Sequence, residues 1–140
     1  MQRHASSEWS GDLKYGTGKL EVGSGAFALP YSYISRFEGS GDTNPEELLG
    51  AAHAGCFSMA LAHALSLAGH KVERIATKAT VELDKGEKGF AISRIALRTR
   101  GAVPGLGAAD FQRFAEDTKA NCIVSRALAA VPITLDAALD

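Results

Sequence analysis

The residues of this chain best suited to chemistry are its two cysteines, Cys56 and Cys122. They form no Cys-x-x-Cys pair and no zinc-ribbon spacing. Two thiols are too few for a secreted disulfide scaffold, which points to a reducing compartment. There a cysteine pair is more often catalytic or redox-active than structural. A reactive cysteine needs a cation or a helix dipole to stabilise its thiolate. Cys56 lies about twelve residues into the helix that its surroundings predict, beyond the reach of the N-terminal dipole, so a cation must come from elsewhere. Otherwise it is a buried cysteine packed as a small hydrophobe. Cys122 follows Asn121, which is placed to cap a short helix over "CIVSRALAA". At that positive end a thiolate is favoured and a thiol can resolve a mixed disulfide or a sulfenic acid; the alternative is a packing residue beside a cap.

Three further side chains bear on this chemistry. Arg36, in "SYISRFEGSGDTNPEELLG", offers a rigid fork of donors to a carboxylate or an anion, or else a surface salt bridge. His53 and His63 flank Cys56 at three and seven residues, roughly on one helical face. A His-Cys-His metal site could be drawn from them, but no fourth ligand is evident and the spacing matches no zinc signature. Packing or hydrogen bonding within an interface suits both histidines better.

The elements that must position these residues are legible in outline. "TNPEELLGAAHAGCFSMALAHALSLAG", Thr43 to Gly69, reads as one helix. Thr43 or Asn44 caps it, Pro45 suits its first position, Glu46 and Glu47 complement its dipole, and Gly69 ends it. Leu48, Leu49, Ala52, Phe57, Met59, Leu61, Leu65 and Leu67 surround its axis. At about 1.5 Å per residue it is roughly 37 Å long, about the diameter expected of a compact chain of this size. A helix apolar all round must be buried all round. The chain has 140 residues, little material for that task, so an intertwined homodimer with two such helices at its centre is expected. His53, Ser58 and His63 interrupt the apolar run, which argues against a membrane span. No apolar segment follows the N-terminal Met1-Gln2-Arg3-His4, so no secretory signal is expected. The net charge of -1 gives no electrostatic case for nucleic acid or anionic membrane.

Residues 1–40 read as short strands with turns at Gly11, Gly16-Thr17-Gly18 and Gly23-Ser24-Gly25. Ile75, Thr77, Ala79, Val81 and Leu83 alternate at strand period, residues 85–89 turn, and Phe90 to Arg100 returns with a phase break that suggests a bulge. An amphipathic helix over 108–120, the short helix after Asn121 and a last strand from Pro132 complete a single α+β domain, 1–140, built on antiparallel sheets.

"SRFEG", "TNPEELLGAAHAGCFSMALAHAL", "FAISRIALRTRGAVPG", "NCIVSRAL" and "ITLD", in that order across nearly the whole chain, resemble the osmotically inducible protein C and organic hydroperoxide resistance family of thiol peroxidases. "RFEG" and "AAHA" are closer to its osmotically inducible branch. The resemblance implies an intertwined α+β homodimer with antiparallel sheets around two long central helices. It implies a cytoplasmic enzyme of the oxidative stress response that reduces organic hydroperoxides, and hydrogen peroxide less well, with no metal, haem or flavin. The reductant would be a dithiol such as dihydrolipoamide on a lipoylated protein. Cys56 matches the peroxidatic cysteine and Cys122 the resolving cysteine, joined in a disulfide during the cycle. Arg36 matches the arginine that stabilises the thiolate, and Glu46 the glutamate that orients that arginine. The family usually has proline after the resolving cysteine; here it is Ile123, so the helix start loses a fixed φ. The rival readings are a metal-binding enzyme built on His53, Cys56 and His63, and a small-molecule or lipid-binding dimer without peroxidase activity.

Overall fold

A computed structural model describes residues 1–39 and 41–140; Ser40, at the end of the stretch read as short strands, lies outside the described residues. The chain divides into two compact units, Met1–Leu48 and Leu49–Asp140.

The first unit is an antiparallel sheet of β1 (Ala5–Ser10), β2 (Thr17–Val22) and β3 (Ala28–Ser32), in that order, followed by a one-turn helix α1 (Tyr33–Phe37). Gly18, expected in a turn, lies inside β2 opposite Trp9 and Tyr31. A Cβ there would fall 2.2 Å from Tyr31 Cε1 and 2.8 Å from Trp9 Cε3. The glycine is needed because two rings, with centroids 5.3 Å apart, close over it from both neighbouring strands. α1 was not expected. A reciprocal capping box starts it: Ser35 N donates to Ser32 Oγ (3.1 Å) and Ser32 N to Ser35 Oγ (2.9 Å). The Ser-x-x-Ser spacing is the sequence signal for it.

The long helix α2 spans Pro45–Leu67 and passes from the first unit into the second. Its start follows the expected chemistry: Glu47 N donates to Asn44 Oδ1 (2.9 Å), so Asn44 caps and Pro45 takes the first position. The second unit packs α2 with a sheet of β4 (Arg74–Gly86), β5 (Gly89–Ala102) and β6 (Ile133–Leu139), together with α3 (Ala108–Asn121) and α4 (Ile123–Ala127). β4 and β5 form the expected hairpin, with Glu87 and Lys88 as its tip. Glu82 pairs with Arg94 and Leu83 with Ile92, so Ser93 is the extra residue of a bulge. That bulge moves the inward phase of β5 from Ile92 to Ile95, Leu97 and Thr99, as its broken alternation suggested.

β6 pairs with β5 in parallel, which makes this second sheet mixed. The helices α3 and α4 carry the chain back to the end from which β5 started, and such a crossover delivers a parallel neighbour. The fold is thus α+β, with one antiparallel and one mixed sheet.

Only one face of α2 is used by this core. His53, Phe57, Leu61 and Leu65, four residues apart in turn, are fully buried. Ala51, Ala52, Gly55, Met59, His63 and Leu67 on the other side are exposed, Met59 to 76%. No Asp, Glu, Lys or Arg occurs from Leu48 to Leu67. By length and composition α2 is the one described helix able to cross a membrane, a test that the core helix of a globular protein also passes.

The closest approach in this core is at Gly101 of β5, where a Cβ would lie 2.6 Å from Phe111 Cε2 and 3.2 Å from Ile75 Cδ1. Phe111 is fully buried and has nowhere to retreat. Gly101→Ala should therefore destabilise the fold by about 1–3 kcal/mol through overpacking, read as a lower urea midpoint with an unchanged m-value.

Candidate functional site

The residues singled out by sequence fall into two pairs, one in each unit. In the first unit Arg36 and Glu46 form a forked ion pair. Arg36 Nη2 donates to Glu46 Oε1 at 2.8 Å, and its Nε is 3.2 and 3.3 Å from the two carboxylate oxygens. The last turn of α1 supplies Arg36 and the first turn of α2 supplies Glu46. Asn44 Nδ2 donates to Ser35 O (3.2 Å) and ties the two helix ends together. Glu46 is 9% exposed, and its carboxylate also lies where the helix dipole favours negative charge. The guanidinium, half-exposed, is thus held in a set orientation, and its carbon stands 5.4 Å from the centroid of the Phe37 ring. Beside it opens a cleft of about 290 Å³ lined by Trp9, Leu13, Tyr31, Ser32, Tyr33, Arg36 and Phe37. Sequence reading missed this cleft, although its aromatic residues were the available signal.

In the second unit the two sulfurs meet. Cys122 Sγ lies 3.2 Å from Cys56 Sγ, and both are free thiols. Cys56 is half-buried and Cys122 is 2% exposed. Cys122 stands at the break between two helices, with φ -55° and ψ 131°, so the backbone turns out of α3 before α4 begins. Its N–H closes α3 on Thr118 O (2.7 Å), and its C=O accepts from Arg126 N (2.9 Å). Asn121, expected to cap the second helix, instead ends the first and donates Nδ2 to Asp117 O (2.8 Å). Cys122 itself occupies the N-cap position of α4, which is shorter than expected and ends at Ala127. The cause is local: only the residue at the break has the extended backbone that an N-cap requires.

The surroundings act on the two thiols in opposite directions. Burial pushes Cys56 up, and the neighbouring Cys122 adds to this, against the backbone N–H groups of Val124 and Ile123. Burial opposes ionisation of Cys122 as well, but the Ser125 N–H, the Cys56 thiol, the Ser125 hydroxyl and the Val124 N–H outweigh it and hold Cys122 below its ordinary value. Cys122 makes no regular side-chain capping bond, so these donors converge on its sulfur without ideal geometry. Two sulfurs this close titrate as a pair, and the first negative charge on it is drawn toward Cys122. The expectation that Cys56 needs a cation from outside its helix is sharpened by this order. Ile123, at the first position of α4 and 76% exposed, keeps an N–H that bears on Cys56; a proline there would have none.

His53 and His63 do not converge with Cys56. His53 is fully buried, with Nε2 2.7 Å from Ser125 Oγ, whereas His63 is exposed. Among the described residues no cluster of three His, Cys, Asp or Glu could hold a metal ion. Ser125 was not singled out from sequence, since a serine three residues after a cysteine carries no signal without knowledge of the helix break.

The family model for OsmC-like protein matches residues 38–136. Peroxiredoxin OsmC of Escherichia coli (strain K12) is 47% identical over 137 residues, which cover 97% of this chain and 95% of that protein; its namesake from Shigella flexneri gives the same values. Among solved structures, an organic hydroperoxide resistance protein OsmC from Legionella pneumophila aligns with a TM-score of 0.76 at 24% identity, covering 96% of each chain. The organic hydroperoxide resistance protein OhrB of Bacillus subtilis aligns with 0.73 at 22% identity, covering 98% of each. These two structural likenesses concern the fold.

Burial lowers the pKa of His53 from its ordinary 6.5. The unfolded chain takes up this proton near 6.5 and the folded chain only at lower pH. The contribution to stability is therefore complete above 6.5 and is lost as pH falls from there toward the folded value. From about pH 7.5 to about 5.5 the urea midpoint should fall more for the wild type than for His53→Gln. Equal falls would mean that His53 ionises freely in the folded protein.

Proposed function

Since this chain belongs to the family of OsmC-like proteins, we propose that it is a thiol-dependent peroxidase that reduces organic hydroperoxides, and hydrogen peroxide less well, through Cys56 and Cys122. One observation carries the reading: the 3.2 Å contact between the two sulfurs. A sulfenic acid formed on Cys56 would have its resolving thiol already beside it.

The cycle begins with the Cys56 thiolate. It attacks the distal peroxide oxygen; the O–O bond breaks, an alkoxide leaves and takes a proton to become the alcohol, and Cys56 becomes a sulfenic acid. Cys122 then attacks that sulfur, an S–S bond forms as the S–O bond breaks, and water departs. A dithiol, such as dihydrolipoamide on a lipoylated protein, reduces the disulfide by exchange and is itself oxidised. The reducing cytoplasm suits two cysteines that begin the cycle as free thiols.

Within one chain the local donors favour Cys122 over Cys56 as the site of negative charge. A guanidinium within about 4–6 Å of Cys56 would act against this order, because an opposite charge at that range favours the ionised thiol. The Arg36–Glu46 pair is suited to supply it. Glu46 lies ten residues before Cys56 on the same helix, about 15 Å along its axis, too far for its own side chain to serve its own cysteine. A second copy with its long helix antiparallel would bring the partner subunit's Arg36 to the thiol. The exposed, charge-free face of α2 supports such a dimer, since Ala51, Ala52 and Gly55 allow close approach of two backbones. The aromatic cleft beside Arg36 then offers an apolar wall to the alkyl part of the peroxide, while the guanidinium steadies the developing alkoxide. In this reading the two units, 1–140, work as one domain.

Peroxide turnover driven by dihydrolipoamide should vanish in Cys56→Ser. Cys122→Ser should still consume one equivalent of peroxide and leave a sulfenic acid on Cys56. The oxidised wild type should run at monomer mass on a non-reducing gel, with Cys56 bonded to Cys122 of the same chain. Turnover that survives Cys56→Ser would overturn the mechanism.

Mixing inactive Cys56→Ser chains with inactive Glu46→Ala chains should restore part of the activity, because one site of each heterodimer then has both residues. Gly55→Glu, placed on the exposed face of α2, should prevent dimers and leave the mixture inactive. Heterodimers that form but stay inactive would refute the arrangement in trans.

A further inference from the structure

His53 and Ser125 have no part in the cycle as written, yet they extend the contact between the two sulfurs into a buried chain. His53 Nε2 lies 2.7 Å from Ser125 Oγ, with His53 fully buried and Ser125 3% exposed. The Ser125 hydroxyl bears in turn on the Cys122 sulfur, which it helps to hold below its ordinary pKa, and that sulfur is 3.2 Å from the one of Cys56. Both ends of the chain, His53 and Cys56, sit one turn apart on α2, and its two middle members sit three residues apart across the start of α4. Among the described residues, His53 Nδ1 is the buried side-chain nitrogen or oxygen with no hydrogen-bond partner.

That unpartnered atom decides the direction of the chain. Burial keeps the ring neutral near neutral pH, so it carries one N–H. A proton on Nδ1 would be a buried donor without an acceptor, among the rarest of buried groups in folded proteins. A proton on Nε2 leaves only a bare lone pair at Nδ1 and makes the ring a donor to Ser125 Oγ. The hydroxyl hydrogen of Ser125 must then point away from the ring, and the group on which that hydroxyl bears is the Cys122 sulfur, three residues earlier at the N-cap of α4.

We propose that His53 is a positioning residue for the resolving step: through its Nε2–H it fixes the Ser125 hydroxyl as a donor to the Cys122 sulfur. The proposal rests on the reading of Cys122 as the resolving thiol. In that step the Cys122 sulfur attacks the Cys56 sulfenic sulfur, the S–S bond replaces the S–O bond, and the thiol proton leaves with the oxygen as water. No outside electrons are required. The directed hydroxyl stabilises negative charge on the attacking sulfur and so raises its thiolate fraction. The titratable groups of α2 that bear on that sulfur are Cys56 and His53. Of the charged side chains on neighbouring elements, Arg126 of α4 is exposed, Lys119 of α3 is paired with Glu116, and Arg98 and Arg100 of β5 pair with Asp136 of β6.

The tautomer can be read directly from imidazole nitrogen shifts in the reduced wild-type protein. Nε2–H is expected, and Nδ1–H would overturn the proposal whatever the variants do. In a Cys56→Ser background, the midpoint of Cys122 alkylation against pH should rise by roughly one unit in Ser125→Ala and in His53→Phe. His53→Gln, which keeps an N–H donor, should recover much of that shift. With both cysteines present, formation of the Cys56 sulfenic acid should not slow in these variants, while disulfide closure slows about three- to fourfold near neutral pH. An unmoved Cys122 midpoint, or equal slowing of both steps, would show that the pair only fills space. Ser125→Ala and the wild-type tautomer decide the matter if His53→Phe does not fold. The tautomer and the alkylation midpoint are both read without peroxide, so a failure of the peroxidase reading is distinguishable from a failure here.

Discussion

A contact of 3.2 Å between two sulfurs constrains most of the second unit. One sulfur comes from the middle of a 23-residue helix, where nothing but i,i+4 packing determines which way a side chain points. The stripe of His53, Phe57, Leu61 and Leu65 sets that helix's rotation by burial, and Cys56 then stands at the margin of the buried face. The other sulfur arrives from a residue that is not helical, at the break between α3 and α4. Its cost in lost helical hydrogen bonding is small, because Cys122 N–H still closes α3 and Cys122 C=O still opens α4.

The same break governs the electrostatics. A helix start points unpaired N–H groups outward, and here those of Ile123, Val124 and Ser125 bear on the two sulfurs. They are dipoles and carry no net charge, so they can redistribute charge between two thiols but cannot match a cation. The cation of interest is held elsewhere in the chain, in a fork with a buried carboxylate. A bound arginine of this kind gives up freedom that a free one would lose on meeting an anion. Its orientation is fixed before any substrate arrives, which is the general condition for electrostatic help in a reaction.

Much of this was legible in the sequence, and the reasons differ by element. The start of α2 could be read because Asn44, Pro45 and the two glutamates are local signals that tertiary packing did not override. The β4–β5 hairpin could be read because alternation is intrinsic to strands, and even the bulge left its mark as a phase break. The parallel pairing of β6 was hidden, since pairing direction depends on the route of the connection and not on the strand's own residues. The N-cap of α4 was misassigned by one residue because Asn121 is the better cap by residue type. Backbone conformation at the break decided otherwise. Arg36 and Glu46 were legible only as a pattern, and what that pattern could not convey is that they grip one another within one chain.

A helix without a single charge over twenty residues presents more apolar surface than one sheet can cover, and here the sheet covers one stripe. Exposed large apolar patches mark sites of association. The small residues on the open side, Ala51, Ala52 and Gly55, do little for affinity through area. What they permit is proximity, since two helices meeting at alanine and glycine approach closely. Proximity of that kind is what an ion pair at one helix start would need in order to reach a thiol in the middle of another. Burial of the helix and supply of the cation would then have a single solution. An uncharged helix face of this kind is a liability in a lone chain.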